Sequence, residues 1–272
     1  MNKTMRLVAA SLLAFSANAT YADEISDAVM NDTRSAEAKL RDEYRHPQQT
    51  LRFFGIEPDM TVVEIWPGGG WYTDILASLL KENGKLIAAH FFIDDSSPGY
   101  QKRYLDSFKD KVKNTDEYSG ITVSEFHPDK AQNIADPGSV DAVLTFRNVH
   151  NWYMGEGDKS LDGAFSAFFK ALKPGGVLGV VDHEMPESGS DEAMKQSGYI
   201  KKSVVVNAAK RAGFTLAEES DVNANPMDNA DHPKGVWTLP PSLALKDEKR
   251  DHYLAIGESN RMTLKFVKPE QK

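Results

Sequence analysis

The sequence predicts an α/β fold in which a largely parallel sheet is covered by helices. Two observations carry that expectation. Short apolar runs of strand character alternate with segments whose apolar residues recur at helical spacing, and no long apolar run, repeat or low-complexity stretch interrupts them. A triple glycine also separates the first such run from the first amphipathic helix, at the edge where a parallel sheet presents its ligands.

In chain order, residues 1–22 read as an export signal. Lys3 and Arg6 supply a positive start, Leu7 to Phe15 a short apolar run, and Ala17, Ala19 and Ala22 the small residues of a cleavage site. The run is too short to span a bilayer. Cleavage after Ala22 or Ala19 is expected to leave a periplasmic or secreted chain. No cysteine follows to carry a lipid, so no stable membrane anchor is expected after cleavage.

Residues 23–272 are expected to form a single domain. Glu24 to Tyr44 reads as an opening helical stretch. With a short apolar helix at Thr50 to Phe54, closed by Gly55, it makes a helical cover over residues 23–58. Thr61 to Trp66 is the first buried strand. Gly68 to Gly70 follow, then a helix with Trp71, Ile75, Leu76, Leu79 and Leu80 on one face. Gly84 stops it before a strand at Leu86 to Phe91. Tyr104, Leu105, Phe108 and Val112 mark the next helix, and strands are expected at Ile121 to Phe126 and Val140 to Phe146. Leu161, Phe165, Phe168, Phe169 and Leu172 form a helical stripe that Lys173-Pro174-Gly175-Gly176 ends. Val177 to Val181 is a fifth strand, Ser203 to Ala212 a helix, and Thr215 to Glu218 and Arg261 to Val267 the last two strands. The connection between them, residues 222–259, is rich in Asn, Asp and Pro. It is long for a compact domain and reads as a lid-like insertion.

Composition excludes several function classes. With no cysteine among 272 residues, disulfides and thiolate-bound zinc are impossible. A net charge of −8 argues against a nucleic-acid partner, which calls for a basic face. A small-molecule ligand in the cleft of the sheet is the remaining expectation, and oligomeric state is unknown from sequence.

The chemistry begins at Gly68, Gly69 and Gly70. Lacking β-carbons, they allow positive φ and close approach of backbone to a ligand, beside the positive end of the following helix. A dinucleotide fingerprint would need glycine where Thr73 stands, and a nucleotide-triphosphate loop would need a Gly-Lys-Ser/Thr ending that is absent.

From Arg41 to Pro269 the sequence resembles the class I S-adenosylmethionine-dependent methyltransferases, and within them a branch carrying export signals. The resemblance rests on Val62 to Thr73, on Asp141-Ala142-Val143, on Leu172-Lys173-Pro174-Gly175-Gly176 and on the closing strand pair. It implies a three-layer Rossmann-like methyltransferase fold with a seven-stranded, mostly parallel sheet whose last strand is antiparallel. It also implies S-adenosylmethionine as cofactor, bound around Glu64, Pro67, Gly68, Gly69, Gly70 and Trp71, with an acceptor near the fourth strand. Two departures stand out. Trp66 replaces the first glycine of the family's motif, and His90 stands where the family places an acid for the ribose hydroxyls. His90 can hydrogen-bond one hydroxyl but lacks the charged two-point contact of a carboxylate. Asp129 matches the acid that often contacts the adenine amine, and equally suits a cap; Asn148, at the end of the fourth strand, is placed to face the methionine part.

For catalysis the sequence offers His150, His183 and Tyr153. Either histidine is a candidate general base for an acceptor that must lose a proton, and Trp152 or Tyr153 a wall of the acceptor pocket. His90, His127, His150 and His183 all follow strand ends, and His150, Asp182, His183 and Glu184 would suit a divalent metal. The family's strand order would keep the four histidines from sharing one ion, so no metal ligands are assigned. Three readings follow: an exported methyltransferase with a small-molecule acceptor, a non-catalytic ligand-binding protein on the same scaffold, and a metal-assisted hydrolase.

Overall fold

A computed structural model describes residues 24–270, and the signal-like segment 1–22 lies outside them. The apolar runs form β1 (Thr61–Ile65), β2 (Lys85–Phe91), β3 (Thr122–Phe126), β4 (Val140–Phe146) and β5 (Leu172–Met185). β6 (Ile200–Lys201), β7 (Thr215–Ser220) and β8 (Arg261–Val267) follow. The sheet order is β3-β2-β1-β4-β5-β8-β7, with the two-residue β6 beside β5. β1 to β5 pair in parallel, and β8 runs antiparallel between β5 and β7. The expected seven strands with an antiparallel last strand are therefore present. β1 has β2 on one side and β4 on the other, so the order in which strands are laid down reverses there and a crevice opens beyond its carboxyl end.

Strand alternation sorts side chains into two cores. Val62, Ala88 and Leu144 face one way and pack with Leu51 and Phe54 of α4 (Pro47–Phe54), Ile75 and Leu76 of α5 (Trp71–Leu80) and Phe108 of α6 (Gly99–Asn114). α1, residues 24–30, adds Ile25 and Ala28 to that face. Val63, Ala89 and Val143 face the other way. They meet Trp152 of α7 (Val149–Glu156), Phe165 and Phe168 of α8 (Asp158–Ala171) and Val205 of α10 (Lys202–Arg211). Each fully buried side chain of this kind contributes roughly 1.5–3 kcal/mol. The result is a three-layer Rossmann-like α/β fold.

The structure corrects the expected elements at several places. The opening helix is broken after α1, because Asn31 Oδ1 accepts from the Thr33 amide and Ser35 caps α2 (Ala36–Lys39) through Ala38 N, followed by α3 (Asp42–Arg45). These short polar side chains compete for the donors a continuous helix would use. β1 ends at Ile65, since Trp66 has a left-handed φ of 47°. Lys173 to Gly176 belongs to β5, whose pairing with β4 is irregular between Val140 and Ala142. The sequence reading contains neither α7 nor α9 (Asp191–Ser197), both short. The long connection holds α11 (Arg250–Ile256) and is tied down by polar contacts. Asn225 donates to the Ile256 and Glu258 carbonyls, and Asp228 accepts from Tyr199, Ala230 and Asn260.

Candidate functional site

A cavity of about 770 Å³ lies beyond the carboxyl ends of β1 and β4, within the roughly 300–1,000 Å³ typical of small-molecule sites. Its walls come from the turn after β1, the residues after β4 and β5, the N-terminal helices and the long connection, which contributes Val236, Trp237, Pro240, Pro241, Ser242 and Glu258.

The three glycines of the turn do different jobs. A β-carbon on Gly69 would meet nothing within 4 Å, and Gly69 lines the cavity beside Pro67, Gly68 and Trp71. Gly68 has a left-handed φ of 60° that a glycine adopts without strain. Gly70 is not on the cavity wall, and a β-carbon there would lie 2.9 Å from the Tyr118 hydroxyl. Glu64, at the end of β1, does reach the cavity and accepts a 2.6 Å hydrogen bond from Thr73 Oγ1. Burial, with Asp74 adding repulsion, raises its pKa to about 8, so it is mostly a neutral acid at pH 7.

His90 turns inward. Its Nδ1 accepts from the Phe91 amide at 2.8 Å, which leaves Nε2–H to donate to the Gly68 carbonyl at 3.2 Å. Both ring nitrogens are thus used within the chain. The ring braces the glycine turn and is not on the cavity wall. Burial pulls its pKa down to about 4 and keeps it neutral. Trp66 occupies the space between the ends of β1, β2 and β3, donating to the Phe126 carbonyl at 2.9 Å and packing against Phe91 and Trp152.

On the β4 side, Asn148 lines the cavity and donates to the Ile65 carbonyl at 2.8 Å, linking the ends of β1 and β4. His150 and His183 also line it, with ring centroids 5.0 Å apart. Asp182, fully buried near the end of β5, orients the His150 ring and holds the backbone of both histidines. Its carboxylate accepts from His150 Nδ1 at 2.7 Å, from the His150 amide at 3.2 Å and from the His183 amide at 2.7 Å. With its proton on Nδ1, His150 has a bare Nε2 that makes no hydrogen bond among the described residues. This is the geometry of an oriented general base. His183 bonds Ser259 Oγ, and its pKa is held well below the usual value by burial, then by His150 and nearby arginines.

Asp129, Trp152 and Tyr153 also fall outside the cavity, as Gly70 and His90 do. Asp129 is exposed and accepts from Ser160 Oγ at 2.7 Å, a local contact to α8. Tyr153 points into the second core on α7. His90 and His127 lie at the ends of β2 and β3, across β1 from His150 and His183, so the four histidines do not converge. Donor atoms of His150, Asp182 and His183 do lie within 4.8 Å of one another. Asp182, however, already accepts three N–H groups, and the positive charges of Arg261, Arg147 and Arg45 act on His183 and oppose a further cation there. That donor set suits a hydrogen-bonded base better than a cation.

Sequence reasoning missed Arg147, Arg261 and Glu258. Arg45 lies 4.5 Å over the Trp71 ring, and Glu258 sits among Arg41, Arg45 and Arg261. These residues come from distant segments and carry no shared spacing.

No family model matches the sequence. A stretch of 94 residues is 33% identical to the sterol 24-C-methyltransferase erg6 of Schizosaccharomyces pombe, covering 30% of this chain and 24% of that protein, so the chain spans about a quarter of that relative. The structure superposes on the cyclase SpnF with a TM-score of 0.54 at 16% identity, over 89% of this chain and 85% of the other. It superposes equally, at 0.54 and 16%, on phosphoethanolamine N-methyltransferase 2 of Haemonchus contortus in complex with S-adenosyl-L-methionine, over 84% of this chain and 53% of that one. At these identities the likeness is one of fold.

Proposed function

We propose that this chain is an exported enzyme that transfers a methyl group from S-adenosylmethionine to a small-molecule acceptor. The observation that carries the reading is that the open Gly68-Gly69 turn and the Asp182-oriented His150 line one cavity. The 94-residue match to a sterol methyltransferase and the fold shared with a methyltransferase solved with S-adenosyl-L-methionine support it. The signal-like residues 1–22 support export.

The residues fit the cofactor at the turn, although not through a ribose carboxylate. Gly68 and Gly69 offer backbone without side-chain hindrance, and Glu64, Trp71 and Asn148 complete that end of the cavity. His90 is committed to Gly68 and Phe91 and contributes by fixing the turn. When bound, the cofactor supplies an electrophilic methyl group on a sulfonium. The chain orients the acceptor and takes its proton: an acceptor O–H or N–H gives its proton to His150 Nε2, while Asp182 holds the ring and stabilises its charged form.

Trp66 and His90 favour a second reading, a non-catalytic binder on this scaffold. One titration separates the two. Calorimetry of the purified protein with S-adenosylmethionine and S-adenosylhomocysteine is expected to give micromolar binding. Gly69→Asp should abolish it, because its side chain enters open space without strain and places a charge in the cavity. Absence of binding by either ligand at millimolar concentration would overturn the enzyme reading.

A further inference from the structure

One wall of the cavity concentrates positive charge in a chain whose net charge is −8. Arg41 and Arg45 reach it from the N-terminal cover, Arg147 from the junction of β4 and α7, and Arg261 from the start of β8. Three of them share the Glu258 carboxylate, which is 2.6 Å from Arg41 and 3.2 Å from Arg45 and hydrogen-bonded to Arg261. Four guanidinium groups thus face one carboxylate. The cavity's other acids are engaged elsewhere: Asp74 accepts from Lys111 and Tyr118, and Glu64 from Thr73.

The excess charge is under-satisfied as well as unbalanced. Arg147 is half-buried, and its guanidinium makes no hydrogen bond or ion pair among the described residues. The side chains of Arg45 and Arg261 are each only 3% exposed, yet Arg45 Nη1 and Arg261 Nε lack hydrogen-bond partners among the described residues. Burial, then Arg261, lowers the pKa of Arg147 to about 10, which leaves it cationic at neutral pH. Buried donors and cations of this kind are normally paired, and an anionic ligand would pair them. The guanidinium fork matches the flat pair of oxygens on a carboxylate or phosphate.

We propose that Arg147, with Arg45 and Arg261, forms an anion subsite that binds a carboxylate or phosphate group of the methyl acceptor. The word acceptor rests on the methyltransferase reading; the anion subsite does not. Arg261 is the cross-strand partner of His183, and the Arg147 amide donates to the Val181 carbonyl two residues before it, so the subsite lies near the histidine pair. An acceptor anchored there by its anion presents an ionisable hydroxyl or amine to His150. The substrate class is therefore a small organic acid or phosphate ester with such a group. The carboxylate of the cofactor's amino-acid end is the other source of the same chemistry.

Calorimetric titration at constant ionic strength tests the proposal, with benzoate, inorganic phosphate, neutral benzamide and S-adenosylhomocysteine each added alone to wild type and Arg147→Gln. The wild type is expected to bind benzoate or phosphate and not benzamide. Arg147→Gln should weaken the anion by at least about tenfold, the scale of a hydrogen bond to a charged group, and leave S-adenosylhomocysteine unchanged. Arg147→Met, of similar length, makes the same comparison if the glutamine variant does not fold. Failure of the wild type to bind either anion, or equal binding by the variant, overturns the subsite. An equal loss of S-adenosylhomocysteine affinity assigns the anion to the cofactor and overturns the acceptor assignment. Anion binding without any binding of S-adenosylmethionine or S-adenosylhomocysteine leaves the subsite standing and removes the methyltransferase reading.

Discussion

Replacing Glu258 by glutamine removes the one carboxylate set among the four arginines, and the structure gives the size of the effect. Burial alone would raise the pKa of Glu258, but Arg261, Arg45, Arg147 and Arg41 outweigh it and hold the carboxyl at about 2, against an ordinary 4.5. A difference of about 2.5 units at about 1.36 kcal/mol each is roughly 3 kcal/mol. Because the folded-state pKa is depressed, that stability is fully present above about pH 4.5 and is lost as pH falls toward 2. Urea denaturation at pH 7 should therefore find Glu258→Gln about 2–3 kcal/mol less stable than wild type, since the amide keeps one acceptor oxygen. The gap should narrow steadily below pH 4.5. Added phosphate should restore the variant more than the wild type, because the arginines it leaves uncompensated bind the anion. A variant within about 0.5 kcal/mol of wild type at pH 7, or a gap that stays constant down to pH 3, would refute the reasoning.

Three further outcomes are expected. Gly70→Ala should cost about 1–3 kcal/mol in denaturant unfolding, because φ is 85° and the new carbon meets Tyr118, whereas Gly69→Ala should stay within about 0.5 kcal/mol. Nitrogen NMR should find His150 protonated on Nδ1 and His90 on Nε2, and Asp182→Asn should disturb the first and spare the second. Glu64, raised to about 8, contributes stability below about pH 4.5 that is lost as pH rises through 8. A cationic ligand beside it favours the ionised form, so calorimetry of S-adenosylmethionine in buffers of different ionisation enthalpy should reveal proton release at pH 7.

The sheet was legible because its signals are local. Thr61 to Ile65 is an apolar run, glycines stop it, and Trp71 to Leu80 switches the period to that of a helix. The breaks in the opening helix were missed because Asn31 and Ser35 act through single hydrogen bonds that a periodicity count overlooks. The site was half legible. His150 and His183 stood out as residues at strand ends, but the role of Asp182 as their common acceptor depends on β4 and β5 lying side by side. His90 reads from sequence as a residue at a strand end, and only the fold shows its ring turned toward the Gly68 carbonyl. Arg147 and Arg261 are unremarkable in sequence and meet only because β4 and β8 both flank β5.

The two ends of the cavity differ in how they are built. Glu64 belongs to β1 itself, and Gly68 and Gly69 belong to the turn that joins it to α5. Arg41, Arg45, Trp237 and Glu258 belong to segments that precede the sheet or interrupt it between β7 and β8. The arginine-lined half is thus of mixed origin, since Arg147 and Arg261 stand on the sheet at the end of β4 and the start of β8. Exchanging the helical prefix and the long connection would remove Arg41, Arg45 and Glu258 and so reset the charge around Arg147 and Arg261, while the glycine turn stayed in place.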